Sequence, residues 1–266
     1  MSQIKVEKKI SVIIPVYNAE KFLRQTLHCI CCQTYKNLEI VCVLDCPSDK
    51  SAEIVEEFAQ HDSRIVILRL EKNMGQAAAR NKGVQNSIGE YIHFMDSDDL
   101  IIPDFYETMI NAATKADADI SACSVFYEKR PLRSIWFKKD EVLSDSAEKI
   151  EKTEVLIQGW IWRYLIKKSF WEHHSFLFPN LAVQEDTAVV IPMIYYANKV
   201  VLCPNAVYFY KNRENSILNK KERSTEQEKK WKENRQKVRK IKLDFIKKHN
   251  IKRPNKWLYY IKKYFV

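Results

Sequence analysis

Short apolar runs alternate with stretches of helical spacing over the first hundred residues, and this alternation constrains the fold most tightly. Ser11-Val12-Ile13-Ile14-Pro15-Val16-Tyr17-Asn18 reads as a buried strand with a turn at its carboxyl end. Ala19 to Cys32 follows as an amphipathic helix, with Phe22, Leu23, Leu27 and Ile30 at helical spacing. Leu38 to Leu44 is a second strand, and a helix runs from about Lys50 to Gln60. A third strand, Ile65 to Leu68, precedes a helix from Gln76 to about Gln85, and Tyr91 to Met95 is a fourth strand. The order predicts an α/β fold, a Rossmann-like, mostly parallel central sheet with right-handed crossovers. In open α/β sheets, ligands bind at the carboxyl ends of strands. Pro15 to Asn18, Asp45 to Ser48, and Asp96 to Asp99 all fall there.

The last of these loops, Asp96-Ser97-Asp98-Asp99, packs three carboxylates into four residues. Such a cluster repels itself unless a cation is shared. Hard oxygen ligands suit Mg²⁺ or Mn²⁺, ions that commonly bridge a protein to phosphate oxygens. The competing reading is a polar turn capping the helix after Pro103, since Asp is a favoured N-cap. No GxGxxG and no Walker A loop is present, which argues against a dinucleotide dehydrogenase and a P-loop NTPase. Val16-Tyr17-Asn18-Ala19-Glu20 stands where a nucleotidyltransferase would carry a Gly-rich basic loop.

Six motifs in this order resemble the inverting family-2 glycosyltransferases of the GT-A fold. They are Val12 to Asn18, Asp45 to Asp49, Asn73-Met74-Gly75 with Ala79-Arg80-Asn81-Lys82-Gly83, Gly89-Glu90-Tyr91-Ile92, Asp96 to Asp99, and Glu185-Asp186. The resemblance covers about residues 9 to 216 and implies assembly of a bacterial surface polysaccharide or lipid-linked glycan. The implied donor is a nucleotide diphosphate sugar, UDP first among the carriers, and the sugar a hexose or N-acetylhexosamine. The alternative is a non-catalytic nucleotide-sugar-binding or scaffold protein that kept the fold. It draws on Leu44, which replaces the first Asp of the family's Asp-Asp-x-Ser pattern.

The resemblance also implies roles. Pro15, Val16 and Tyr17 would hold the nucleotide base, with Tyr17 either stacking on it or packing in the core. Asp45 would accept a hydrogen bond from the base. Arg80 would reach the base or diphosphate, or else form an ion pair. Asp98 matches the metal ligand, and Asp96 the residue touching the ribose or backing the metal. Asp186 is the candidate base, oriented or supported by Glu185, against the alternative of a helix cap. Trp160 and Trp162 are candidates for an acceptor platform or for ordinary core. Lys211, in place of the usual Arg, and Ser216 would close over the diphosphate.

From Lys211 to Val266 the chain carries 20 Lys and Arg against 6 Asp and Glu, a net of +14 in a chain of net +10, leaving −4 for residues 1–210. Lys220 to Lys248 reads as a long basic helix, broken by Pro254 and followed by Trp257, Tyr259, Tyr260 and Phe265 among lysines. The expected organisation is a GT-A domain over 1–215, with a nucleotide-sugar half to about 103 and an acceptor half over 104–215, then a basic helical extension over 216–266. The extension suits an anionic membrane surface, with packing on the domain or a homo-oligomer as the alternative. Nucleic acid is disfavoured, since no nucleic-acid motif accompanies the charge. Seven cysteines, an odd count, no leading apolar signal and no apolar stretch near 18 residues predict a cytoplasmic protein, peripheral at most on the inner membrane face.

Overall fold

A computed structural model describes residues 7–129, 131–181, 184–211 and 224–252. The predicted alternation opens the chain: β1 (Ile10–Val16), α1 (Glu20–Cys31), β2 (Leu38–Leu44), α2 (Ser51–His61), β3 (Ile65–Arg69), α3 (Gln76–Asn86) and β4 (Tyr91–Phe94). Then come β5 (Leu100–Ile101), α4 (Phe105–Ala116), β6 (Ile120–Tyr127), β7 (Glu141–Leu143), α5 (Ser146–Lys152), β8 (Tyr164–Lys167) and α6 (Lys168–His173). The described chain closes with α7 (Glu185–Tyr196), β9 (Val200–Tyr210) and α8 (Thr225–Lys248).

One sheet runs β3-β2-β1-β4-β8-β6-β9-β5, with β7 on β9. The first four strands are parallel. β8 enters antiparallel between β4 and β6, so β6 again points the same way as β4. The carboxyl ends of β1, β2, β4 and β6 therefore share one edge. β1 and β2 are almost wholly buried, as expected of parallel strands covered on both faces. One core lies under α1, α2 and α4, the other under α3, α5 and α7.

Two motif glycines act by close approach. A Cβ at Gly83 would overlap the Ile13 side chain, so α3 can lie tightly on β1. At Gly89 it would come 2.6 Å from the Ser11 backbone nitrogen. There the Ser11 hydroxyl accepts from Gly89 N at 2.8 Å and donates to the buried Glu39 carboxylate. These contacts seat β4 beside β1, which fixes where its acidic loop emerges.

The basic helix α8 does not stand off in solvent. Val238 and Ile246 are buried, Phe245 packs edge-on to Tyr195, and the Tyr196 hydroxyl lies 3.2 Å from His249 Nε2. Its apolar side thus docks on the end of α7, while Lys232, Lys237 and Lys240 face outward. No helix among the described residues is long and apolar enough to cross a membrane. Pro254 and the aromatic residues from Trp257 onward lie outside the described residues.

Candidate active site

Four residues at the carboxyl edge adopt left-handed backbone: Asn18 at φ 46°, Cys46 at φ 51°, Gly75 at φ 85° and Gln184 at φ 54°. Positive φ is costly for residues other than glycine and persists where surrounding contacts impose it. Asn18 is held through its Oδ1, which accepts from Ser48 N at 2.8 Å. Asp45 is buried, and its two oxygens accept from Met74 N at 2.7 Å and Gly75 N at 2.8 Å. The Asn73-Met74-Gly75 motif is thereby folded onto β2, and the Asp45 carboxylate is a loop anchor before it is anything else. Tyr17 is 49% exposed beside it, and Pro15 is half-buried. The Val16 side chain is fully buried in the core, and its carbonyl accepts from Asp45 N at 3.0 Å. Only its backbone faces the edge.

The acidic loop divides its three carboxylates. Asp99 is fully buried, with Oδ1 accepting from Lys211 N at 2.8 Å and Oδ2 from the Tyr208 hydroxyl at 2.9 Å. Burial, and then the charges of Asp98 and Asp96, push its carboxyl well above the usual range. Asp99 thus ties the loop to the end of β9. Asp96 Oδ1 accepts from Gln76 Nε2 at 3.0 Å and Arg80 Nη2 at 3.0 Å. Asp98, between them in sequence, is half-buried, as Asp96 is. Among the described residues, no group of three His, Cys, Asp or Glu side chains could hold a metal ion.

Arg80 is 2% exposed and bridges two parts of the chain. Nη1 donates to Glu185 Oε1 at 2.7 Å, and Nη2 to Asp96. Of the two expected roles, the ion pair is the one seen: the forked face of Arg80 meets two carboxylates, one from the β4 loop and one from α7. A buried guanidinium needs such partners, since desolvating an unpaired charge costs several kcal/mol. Phe178 covers the same guanidinium, 5.4 Å from its ring centroid.

Asp186 follows Glu185 in the first turn of α7 and is 8% exposed, with Oδ1 accepting from Thr187 N at 2.8 Å. Burial and the neighbouring Glu185 charge raise its carboxyl to about 7, against the opposing pull of Arg80. A carboxyl poised there can take up a proton near neutral pH.

Trp162 takes the second of its two expected roles, packing in the core. It is 2% exposed, its ring 5.7 Å from Trp160 at 14° and 4.3 Å from Tyr208 at 17°. Sandwiched between rings, it offers no face to a sugar; Trp160 is half-buried against it. Lys211 reaches Gln25 Oε1 with its Nζ at 2.7 Å. Ser216 lies outside the described residues. Sequence reading passed over Gln76 and Tyr208, the side chains that hold Asp96 and Asp99. Both sit in or beside motifs, Gln76 directly after Gly75 and Tyr208 at the head of Tyr208-Phe209-Tyr210. A polar cavity of about 480 Å³, lined in part by Asp119, Lys167, His173 and His174, is built from the opposite ends of β6 and β8.

A parallel sheet with an acidic loop after its fourth strand and a carboxylate pair opening a helix across from it is the arrangement of a GT-A glycosyltransferase. The sequence model of glycosyl transferase family 2 matches residues 11–251, and the chain belongs to that family. GlyA, a glycosyltransferase of Streptococcus pneumoniae serotype 4, is 35% identical over 228 residues, spanning 80% of this chain and 32% of GlyA. The uncharacterized glycosyltransferase EpsJ of Bacillus subtilis is 29% identical over 78% of this chain and 62% of its own length. The chain thus spans about a third of one relative and three fifths of the other. Residues 1–349 of S. aureus TarS, in a crystal structure with UDP-GlcNAc, align with a TM-score of 0.73 at 21% identity over 88% of this chain and 66% of that one.

Proposed function

We propose that this enzyme transfers a hexose or N-acetylhexosamine, with inversion, from a UDP-sugar to a hydroxyl of a glycan or lipid-linked glycan in bacterial surface polysaccharide synthesis. The observation that carries this reading is the Asp96–Arg80–Glu185 bridge, which brings Asp186 to the acidic loop. The crystal structure of TarS with UDP-GlcNAc supports a uridine carrier. In this reading Tyr17 and the Asp45 loop bracket the base, and Lys211, whose backbone N donates to Asp99, flanks the acidic loop.

In the proposed reaction the acceptor hydroxyl gives its proton to an Asp186 oxygen. The acceptor oxygen bonds to the anomeric carbon as the bond from that carbon to the diphosphate oxygen breaks, and the diphosphate leaves with the electron pair. A divalent cation at Asp98, Mn²⁺ or Mg²⁺, would supply positive charge to that leaving group. Glu185, held by Arg80, keeps the first turn of α7 in place. Thermal stabilisation by a panel of nucleotide sugars, with Mn²⁺ and with chelator, followed by assay of nucleoside diphosphate release, tests the reading. UDP-sugars should stabilise most and only with metal; no stabilisation by any member would overturn it.

We place the enzyme in the cytoplasm, at the inner face of the membrane. The support is the run from Ile251 to Val266, which combines Lys252, Arg253, Lys256, Lys262 and Lys263 with five aromatic rings. Each basic residue near an anionic surface is worth about 1 kcal/mol. Truncation after Asn250 should weaken vesicle binding at least tenfold at low salt, and added salt should weaken binding of the intact chain. An intact protein that ignores anionic vesicles refutes membrane docking. A changed oligomeric state on truncation would make the segment an assembly element instead.

A further inference from the structure

After β6 the chain turns back on itself. Ile135 exchanges backbone hydrogen bonds with Val125, and Phe137 N donates to Ser124 Oγ at 3.3 Å. This returning segment lies along β6 past the end of β8, on the side where β8 pairs. It presents Trp136, 56% exposed, with its ring 6.4 Å from Phe126. Phe126 in turn lies 5.9 Å from Phe209. A large ring so exposed, backed by two half-buried rings, is a platform with one open face.

Its position is set by register. Phe126 pairs with Phe209, and Phe209 with Leu100, the residue after Asp99. The platform therefore adjoins the acidic loop. Side chains alternate along β6, and Phe126 shares its face with Ile120 and Ala122, which pack in the core that includes α7. Trp136 thus lies on the sheet face that carries Asp186. On the α7 side, Gly159 lies against Thr187, which brings the first turn of α7 to the strand entering β8.

Charge supplies a second, independent observation. Residues 1–210 are net −4, yet Lys129, Arg133, Lys138 and Lys139 lie within this connection, with Glu128, Asp140 and Glu141 at its two ends. All four are exposed. An aromatic face suits the C–H face of a pyranose ring, and a basic rim suits phosphate or carboxylate oxygens.

We propose that Trp136 and the bases around it form the acceptor subsite of this enzyme, and that its ligand is an anionic glycan. A sugar ring stacks on Trp136 while its phosphate or carboxylate group is held by Arg133, Lys138 and Lys139. The inference rests on the glycosyltransferase reading above and adds the class of acceptor. The group that selects the acceptor is then distinct from the group that takes its proton.

The test measures binding calorimetrically with three probes: a polyol-phosphate oligomer, a uronic acid oligosaccharide and a neutral dextran oligosaccharide. Anionic vesicles without glycan serve as a fourth. The protein is the full chain, unmodified or carrying Trp136→Ala, Trp136→Phe, or Arg133→Gln with Lys138→Gln and Lys139→Gln. At least one anionic glycan should bind the unmodified enzyme. Its affinity should fall about tenfold or more in Trp136→Ala and in the charge variant, and largely return in Trp136→Phe. UDP-sugar binding should hold in every variant, which also shows that each has folded. Equal glycan affinity in all variants, or no glycan binding at all, overturns the proposal. Trp136-dependent binding of the vesicles alone would assign the patch to a membrane, and a Trp136-dependent dimer would assign it to a second copy; either result also overturns it. Failure of the donor reading looks different: the unmodified enzyme then binds no nucleotide sugar, whatever the state of Trp136.

Discussion

Asp186→Asn should lose sugar transfer by roughly 10²-fold or more, the scale set by a positioned base, while binding donor as the unmodified enzyme does. The substitution keeps shape and removes the proton acceptor. Asn can still accept from Thr187 N through its amide oxygen, so the α7 turn should survive. The pH profile gives a second readout. With its carboxyl raised to about 7 by burial and by Glu185, Asp186 is protonated below that value and cannot accept a proton. Transfer should therefore fall as pH drops through 7, by about tenfold per unit, and level off above it. In Asp186→Asn that inflection should vanish from whatever rate remains. Donor affinity should be flat across the same range. Unchanged turnover in the variant would make Asp186 a helix residue and place the base elsewhere.

The alternating half of the fold was legible because parallel strands buried on both faces read as continuous apolar runs, and α1 shows one apolar stripe. Ile13, Val41 and Phe94 all sit in such runs. The other half was less so. β8 pairs with β4 across more than 70 residues, His93 with Leu165, and no local pattern in Tyr164–Lys167 distinguishes an inserted antiparallel strand. The site shows the same division. Motifs marked Asp96, Asp98 and Asp186, because loops at strand ends and a carboxylate pair opening a helix are local features. They did not reveal that Arg80 joins Asp96 to Glu185, 105 residues away. Nor could they separate Trp162, enclosed between rings, from Trp136, which stands in the open. Both tryptophans sit among basic and apolar neighbours, and only the pairing of Ile135 with Val125 turns one of them outward.

Asp98→Ala should abolish metal-dependent donor binding and leave the protein folded. Asp99 has both oxygens committed to Tyr208 and Lys211, and Asp96 holds Arg80 and Gln76, so those two carboxylates serve the loop and the α7 bridge. Asp98, like Asp96, is half-buried, and its charge is among the causes that raise the Asp99 carboxyl. Removing it relieves repulsion within the loop, so the metal-free protein should not lose stability and can gain a few tenths of a kcal/mol. A cation shared between Asp98 and diphosphate oxygens relieves the same repulsion in the unmodified enzyme. Mn²⁺ with a UDP-sugar should therefore raise the melting temperature of the unmodified enzyme and not that of Asp98→Ala. Affinity for the donor in the presence of metal should drop by more than the 10–100-fold typical of outer-shell changes at a metal site. With chelator present, the two proteins should bind the donor alike. Equal calorimetric affinity with and without metal in both proteins would remove the cation from the reaction and return Asp98 to the role of a polar turn.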